Sequence, residues 1–248
     1  PDLAELVDIG DSWQKTQGLG GYDLFVLKIS NSNVTAVSQA AKPILFVHSA
    51  AHARELATAG LTLAFAEKLL TEYGQDADVT WVVDHREVHI LFHMNPDGRK
   101  LAEAGFDKRK NTNTNFCPEN GVTFGVDLNR NFGGLWNAAG LPVDAFSASG
   151  IPCSQTFRGT EGSSEPETQA VEAYIRNLFD DNRGEEQSDA ADETISGLHI
   201  DVHSFGEDLL YPWGHTYRDA PNEAALATLA RKVAAFNNYE PKPANGIY

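Results

Sequence analysis

Near the start of the chain, His52-Ala53-Arg54-Glu55 sets an imidazole and a carboxylate three positions apart. The pair closely follows a short apolar run, Pro43 to His48, and opens a stretch of helical periodicity. It therefore sits near a strand end, where α/β folds present functional side chains on loops held by rigid neighbours. A histidine and a glutamate at this spacing can turn one nitrogen and one oxygen toward a common point. His203 closes a second strand-like run, Leu198 to His203, and is well placed as a third donor. Short pair, long spacer and third ligand is the arrangement of a zinc site that keeps its fourth position for water. An H-x-x-E pair recurs by chance, however, and a lone strand histidine is more often a hydrogen-bonded core residue. His48, His85, His89, His93, His199 and His215 are rivals, but none has a glutamate three residues on. His199 and His203 share a strand face, yet an extended strand sets them about 13 Å apart. The case for metal chemistry rests on what surrounds these residues.

The elements that must position them alternate between strand and helix. Tyr22 to Ser30 is rich in aromatic and branched apolar residues and ends at Asn31-Ser32-Asn33, which reads as a strand and turn. Arg54 to Tyr73 carries Leu56, Leu61, Leu63, Phe65, Leu69 and Leu70 at helical spacing, with Gly74 as a stop. Val79 to Val83 and Val88 to Phe92 read as strands, the second followed by the turn Asn95-Pro96-Asp97-Gly98. Residues 99 to 160 are polar, glycine-rich and weakly periodic, a length of loop that is usually functional or mobile. Ser164 to Asp181 is a helix with acidic residues in its first turn, which suits the positive end of the helix dipole. Leu209 to Tyr211 reads as a further strand and Asn222 to Asn237 as a final amphipathic helix. No repeat or linker divides the chain. The expectation is one α/β domain over residues 1–248, with a mixed, largely parallel central sheet flanked by helices.

Composition excludes other classes. The 248 residues are 42% apolar and 22% charged, too hydrophobic for disorder. Against 35 Asp+Glu stand 19 Lys+Arg, a net charge of −16 that repels nucleic acid and anionic membrane surfaces. No apolar run approaches the ~18 residues of a spanning helix. Cys117 and Cys153 are compatible with one bridge or with two free thiols.

Four further motifs follow His52-Ala53-Arg54-Glu55 in order: Asn95-Pro96-Asp97-Gly98, Val126-Asp127-Leu128-Asn129-Arg130-Asn131-Phe132, Ser164-Glu165-Pro166-Glu167-Thr168, and His203-Ser204 with Leu210-Tyr211-Pro212. Together the five resemble the zinc carboxypeptidase family, of the carboxypeptidase A/B type, from about Leu6 to the last residue. The resemblance implies one Zn²⁺ held by His52, Glu55 and His203. It implies that Asn129 and Arg130 hold the terminal carboxylate of a peptide, for which a guanidinium fork suits the planar anion. Arg109 resembles the arginine that stabilises the developing oxyanion, although the family usually carries an aromatic residue where this chain has Lys108. Arg54 resembles a residue contacting the next substrate subsite. Residues 99 to 110 hold five basic side chains, which would form a local positive patch for an anionic substrate end. Cys117 and Cys153 resemble a family disulfide, which would place the protein in an oxidising, secreted or otherwise extracytoplasmic compartment.

The sequence departs from the family in one respect. The family's general base is a glutamate well after the third zinc ligand, and here Glu207, Glu223 and Glu240 are the glutamates after His203, none in a matching context. Tyr248 resembles an Ile-Tyr pair ahead of the specificity pocket and receives no substrate role. The expectation is a domain without its C-terminal part, with the base beyond Tyr248, because a truncated fold of this kind would expose a sheet edge and apolar surface. The function implied is a zinc-dependent exopeptidase acting on the C-terminal peptide bond of peptides and proteins. A zinc deacylase or cell-wall peptide hydrolase of the same fold, and a non-catalytic zinc- or peptide-binding relative lacking the base, are the competing readings.

Overall fold

In the structure, a computed structural model, residues 2–35, 41–118, 121–134, 136, 144–145, 148–186, 188–192 and 194–246 are described. Strands β1 (Ala4–Asp11) and β2 (Asp23–Ile29) flank a short helix α1 (Trp13–Thr16). β3 (Ile44–Ser49) leads through His52 and Glu55 into α2 (Leu56–Thr71), and α3 (Ala77–His85) precedes β4 (Glu87–Leu91). There follow α4 (Pro96–Glu103), a 3-10 turn at Leu128–Arg130, and the two-residue pair β5 (Asp144–Ala145) and β6 (Ala148–Ser149). The chain continues through α5 (Pro166–Leu178), β7 (Leu198–Val202), β8 (Asp208–Tyr211), α6 (Glu223–Ala234) and β9 (Glu240–Pro243).

The central sheet has the order β1-β2-β4-β3-β7. Pairings β1–β2 and β2–β4 are antiparallel, whereas β4–β3 and β3–β7 are parallel. The expected mixed α/β sheet is present, with its parallel and antiparallel pairings evenly balanced. Alternation along the strands divides the core between the two faces. Leu24, Val26, Phe46 and Leu91 point to one face and pack with Ala170 and Val171 of α5. Ile29, Val88 and Ile90 point to the other and pack with Ala66 and Leu69 of α2 and Val79 and Val83 of α3. Because β3, β4 and β7 run parallel, their carboxyl ends open on the same edge of the sheet, where such folds place their sites. Among the described residues no helix is long and apolar enough to cross a membrane.

Val79 to Val83 is a helix and not the strand its branched residues suggest. Asp76 caps α3, its carboxylate accepting from the Asp78 and Val79 amides at 2.9 Å. Val79 and Val83, four apart, bury one face against the sheet, so capping and tertiary burial override a small intrinsic penalty. Asn95-Pro96-Asp97-Gly98 likewise opens α4 instead of closing a strand, with Asn95 accepting from the Gly98 amide and proline in the first turn. β1 and β9 carry no pattern legible in the sequence; half of the β1 residues are exposed, none is buried, and the strand alternates weakly. Replacing Asp76 with alanine should cost about 1 kcal/mol and lower the melting temperature by about 2–4 °C, measurable by circular dichroism.

Candidate metal centre

Three loops at the carboxyl edge of the sheet build the site. After β3, Ala50 takes a positive φ of 56° and is held there by the Thr58 hydroxyl on its amide and the Asn95 amide on its carbonyl. This turn brings His52 back over the sheet edge. Glu55 occupies the cap position of α2, yet its carboxylate makes no capping bond. Its oxygens reach the histidines instead: Oε1 lies 2.7 Å from His52 Nδ1, and Oε2 lies 3.0 Å from His203 Nδ1. The Ser204 amide also donates to Oε2 at 3.1 Å. His203 arrives from the end of β7, the neighbour of β3, and the two imidazole centroids are 4.6 Å apart.

His52, Glu55 and His203 each offer a ligand atom, and these atoms lie within 4.8 Å of one another. Ligands of a tetrahedral ion at ~2.0–2.1 Å stand about 3.4 Å apart, so the donor set fits a small dication with nitrogen and oxygen ligands. The far nitrogens agree with this. His52 Nε2 is 3.1 Å from Asp127 Oδ1, and His203 Nε2 is 2.7 Å from Asp201 Oδ2. A carboxylate behind an imidazole holds the proton on the rear nitrogen and leaves Nδ1 as the donor.

Asp127 also organises the rest of the site. Its Oδ2 accepts from Arg109 Nε and Nη2 at 3.0 and 2.9 Å, and its Oδ1 caps the 3-10 turn through the Asn129 amide. Asn129 Nδ2 stands 3.1 Å from His203 Nε2, and Arg130 Nη1 donates to the Asn129 carbonyl at 2.9 Å. Arg109, Asn129 and Arg130 are thus gathered with the two histidines. Arg54 is separately tethered: Nη1 binds both oxygens of Asp107, at 3.0 and 3.2 Å. Tyr248 lies outside the described residues.

The five basic residues between 99 and 110 do not form a surface patch. Arg99 and Lys100 pair with Glu103 on α4. Lys108 and Lys110 are fully buried. The Lys108 ammonium donates to the Val122 and Phe124 carbonyls, and that of Lys110 to the Pro152 and Ser154 carbonyls. Burial lowers Lys108 to about 7 and Lys110 to about 8. Of the five, Arg109 alone reaches the site. Cys117 and Cys153 form a disulfide with a Cα–Cα distance of 5.2 Å, and its far end adjoins the carbonyls that Lys110 holds.

Burial opposes charge on Glu55, but the two imidazoles outweigh it and bring its carboxyl down to about 2. Burial likewise opposes charge on His203, yet Asp201 and Glu55 push it up to about 10. Asp127 and Asp201 are held well below the usual carboxylate range despite burial, Asp127 by His52, Arg109 and Arg130 and Asp201 by His48 and His203. Reading the sequence alone missed both as parts of the site. Each had a local signal: Asp127 stands two residues before the Asn129-Arg130 pair, and Asp201 two before His203 on an alternating strand, hence on one face.

A family model described as zinc carboxypeptidase matches residues 1–244. Carboxypeptidase A1 of Rattus norvegicus is 29% identical over 94% of this chain and 47% of its own length. Carboxypeptidase B of Helicoverpa zea is 29% identical over 95% of this chain and 47% of its own length. The chain thus spans about half the length of these relatives. Among solved structures, a carboxypeptidase A from Helicoverpa armigera superposes with a TM-score of 0.77 at 27% identity, over the whole chain and 54% of that one. Thrombin activatable fibrinolysis inhibitor, at 24% identity and a TM-score of 0.74 over 99% of this chain and 55% of that one, shares the fold.

A divalent ion at His203 Nδ1 must displace a proton, because a raised value of about 10 keeps that imidazole protonated at neutral pH in the metal-free protein. Zinc affinity should therefore rise roughly tenfold per pH unit between about pH 7 and 9, with a proton released per ion. Calorimetry in buffers of different ionisation enthalpy would measure this, and an affinity flat with pH would contradict it. Separately, alanine at Cys117 and Cys153 should cost up to about 4 kcal/mol through loop entropy, seen as a lowered urea midpoint.

Proposed function

Because the chain belongs to the zinc carboxypeptidase family, we propose that His52, Glu55 and His203 hold one zinc ion in a metallocarboxypeptidase that releases C-terminal residues from peptides and proteins. The observation that carries this reading is the convergence of three ligand atoms within 4.8 Å beside Arg109 and the Asn129-Arg130 pair. When bound, zinc supplies a Lewis acid and an activated water.

Substrate binding and charge stabilisation would fall to the chain's own residues. Arg130 and Asn129 receive the terminal carboxylate through charged hydrogen bonds, and this sets which peptide bond reaches the metal. Asn129 abuts His203, so the carboxylate-binding pair adjoins the metal centre, as release of a terminal residue demands. Arg109 offers the N–H groups of its fork that do not face Asp127 to the oxyanion. Its tether to Asp127 fixes the guanidinium beforehand, so little reorganisation is needed when charge develops. Arg54 would touch the substrate one subsite further on, with Asp107 limiting its swing. The disulfide supports an oxidising, secreted or extracytoplasmic setting.

Peptides with free and with amidated C-termini, followed by mass spectrometry, test the reading. Loss of single residues from the free peptides alone, abolished by a chelator and restored by zinc, is expected. Hydrolysis of N-acyl amino acids but of no peptide would favour the deacylase, and zinc-dependent peptide binding without turnover would favour the non-catalytic relative. Arg109→Ala should lower kcat by about 10²–10³, whereas Arg130→Ala should mainly raise KM and erase the preference for a free carboxylate.

A further inference from the structure

The register of β3 on β7 places His48 directly beside Asp201 and Phe46 beside His199. Paired residues of neighbouring strands point to the same face, so the His48 imidazole and the Asp201 carboxylate meet side by side. The His48 residue is 1% exposed, its ring packed against Phe46, Phe132 and His199. His48 Nδ1 stands 3.3 Å from Asp201 Oδ1. Both atoms are buried, and among the described residues neither has a hydrogen-bond partner of its own. A buried donor and a buried acceptor left facing each other are a pair that a small ring rotation closes. The second oxygen of Asp201 already lies 2.7 Å from His203 Nε2.

His203 needs such support more than His52 does. His52 is enclosed, with 4% of its side chain exposed, whereas His203 has 30% exposed, just past the end of β7. Packing therefore does little to fix the second ring. Its orientation depends on what holds Nε2, and a carboxylate can hold an imidazole firmly only if the carboxylate is itself held. Behind His52, Arg109 restrains Asp127 with two hydrogen bonds. Behind His203, the group in the corresponding place is His48.

We infer that His48 is a positioning residue for the metal centre: it braces Asp201, which fixes the His203 ring with Nδ1 toward Glu55. The inference rests on the zinc reading above. It adds to that reading His48 and Asp201, which touch neither ion nor substrate, so that each zinc-binding histidine is braced from behind: His52 by Asp127 and Arg109, His203 by Asp201 and His48.

The test is a mutant cycle on the full chain, read as zinc dissociation constants from chelator competition and as the visible spectrum of the cobalt-loaded protein. Melts of the metal-free forms check the fold. His48→Phe keeps the ring stack without a donor, and His48→Asn restores an N–H near the position of Nδ1. Asp201→Asn should weaken zinc about 10–100-fold, and His48→Phe about 5–10-fold with shifted cobalt bands. His48→Asn should recover most of the loss, and His48→Phe should add nothing in the Asp201→Asn background, since it acts only through that carboxylate. Should His48→Phe fold poorly, His48→Leu serves as the donor-free variant. Zinc binding by the donor-free variant as tight as wild type would overturn the inference. So would an equal loss with and without Asp201→Asn, or no recovery in His48→Asn. A wild-type chain that binds no zinc would instead remove the zinc reading.

Discussion

The parallel pairing of β3 with β7 is the constraint on which the site depends. His52 and Glu55 follow one strand, and His203 ends the other. Their donor atoms meet only because the two carboxyl ends open on the same edge in one register. A slip of one residue would turn every side chain of β7 to the opposite face and carry Asp201 with it. Hydrophobic alternation fixes the faces of the inner strands: Phe46 of β3 belongs to the core on the α5 face, while Val88 and Ile90 of the adjoining β4 belong to the opposite core. The pairing that orders the sheet thus also brings the three donor atoms together.

Charge at this edge suits an ion of charge two. Glu55, Asp127 and Asp201 are kept anionic in partly or wholly buried positions, and the permanent cations Arg109 and Arg130 act on Asp127. Burying carboxylates in such numbers is costly unless positive charge is supplied. Without metal, the compensation comes from a proton held by His203 far more tightly than an ordinary imidazole holds one. The same negative potential that retains the proton favours a dication, which links the basicity of the histidine to the affinity of the site.

Much of this was legible in the sequence. His52, Glu55 and His203 stood out because short spacing and strand-end placement are local properties, and the mixed sheet because strands and helices alternate. Arg109, Asn129 and Arg130, which the structure gathers beside the histidines, were singled out through motif order alone, since nothing in their own neighbourhoods distinguishes a substrate contact from an ion pair. Two kinds of information were hidden. One was the competition between local preference and burial: Val79 to Val83 favours a strand by residue type, yet Asp76 caps it as a helix and the core accepts its face. The other was which charges are enclosed. Lys108 and Lys110 read as part of a positive patch because the carbonyls that receive them, at Val122, Phe124, Pro152 and Ser154, come from distant turns of the loop. The outer carboxylates escaped notice because the fold supplies their partners: His48 meets Asp201 across two strands, and His52 and Arg109 reach Asp127 from other loops.

The alternation within Lys108-Arg109-Lys110 has a consequence for how this stretch can change over time. Two amines point inward and clasp the stapled loop, while the guanidinium between them points to the open edge, all three aimed by the same backbone. Point substitutions of the flanking lysines would loosen the clasp but leave the arginine's direction intact. Deletion or duplication of one residue would exchange the two directions, thrusting an amine into the cleft and burying a guanidinium without its carboxylate. Length, more than identity, is what this segment must conserve.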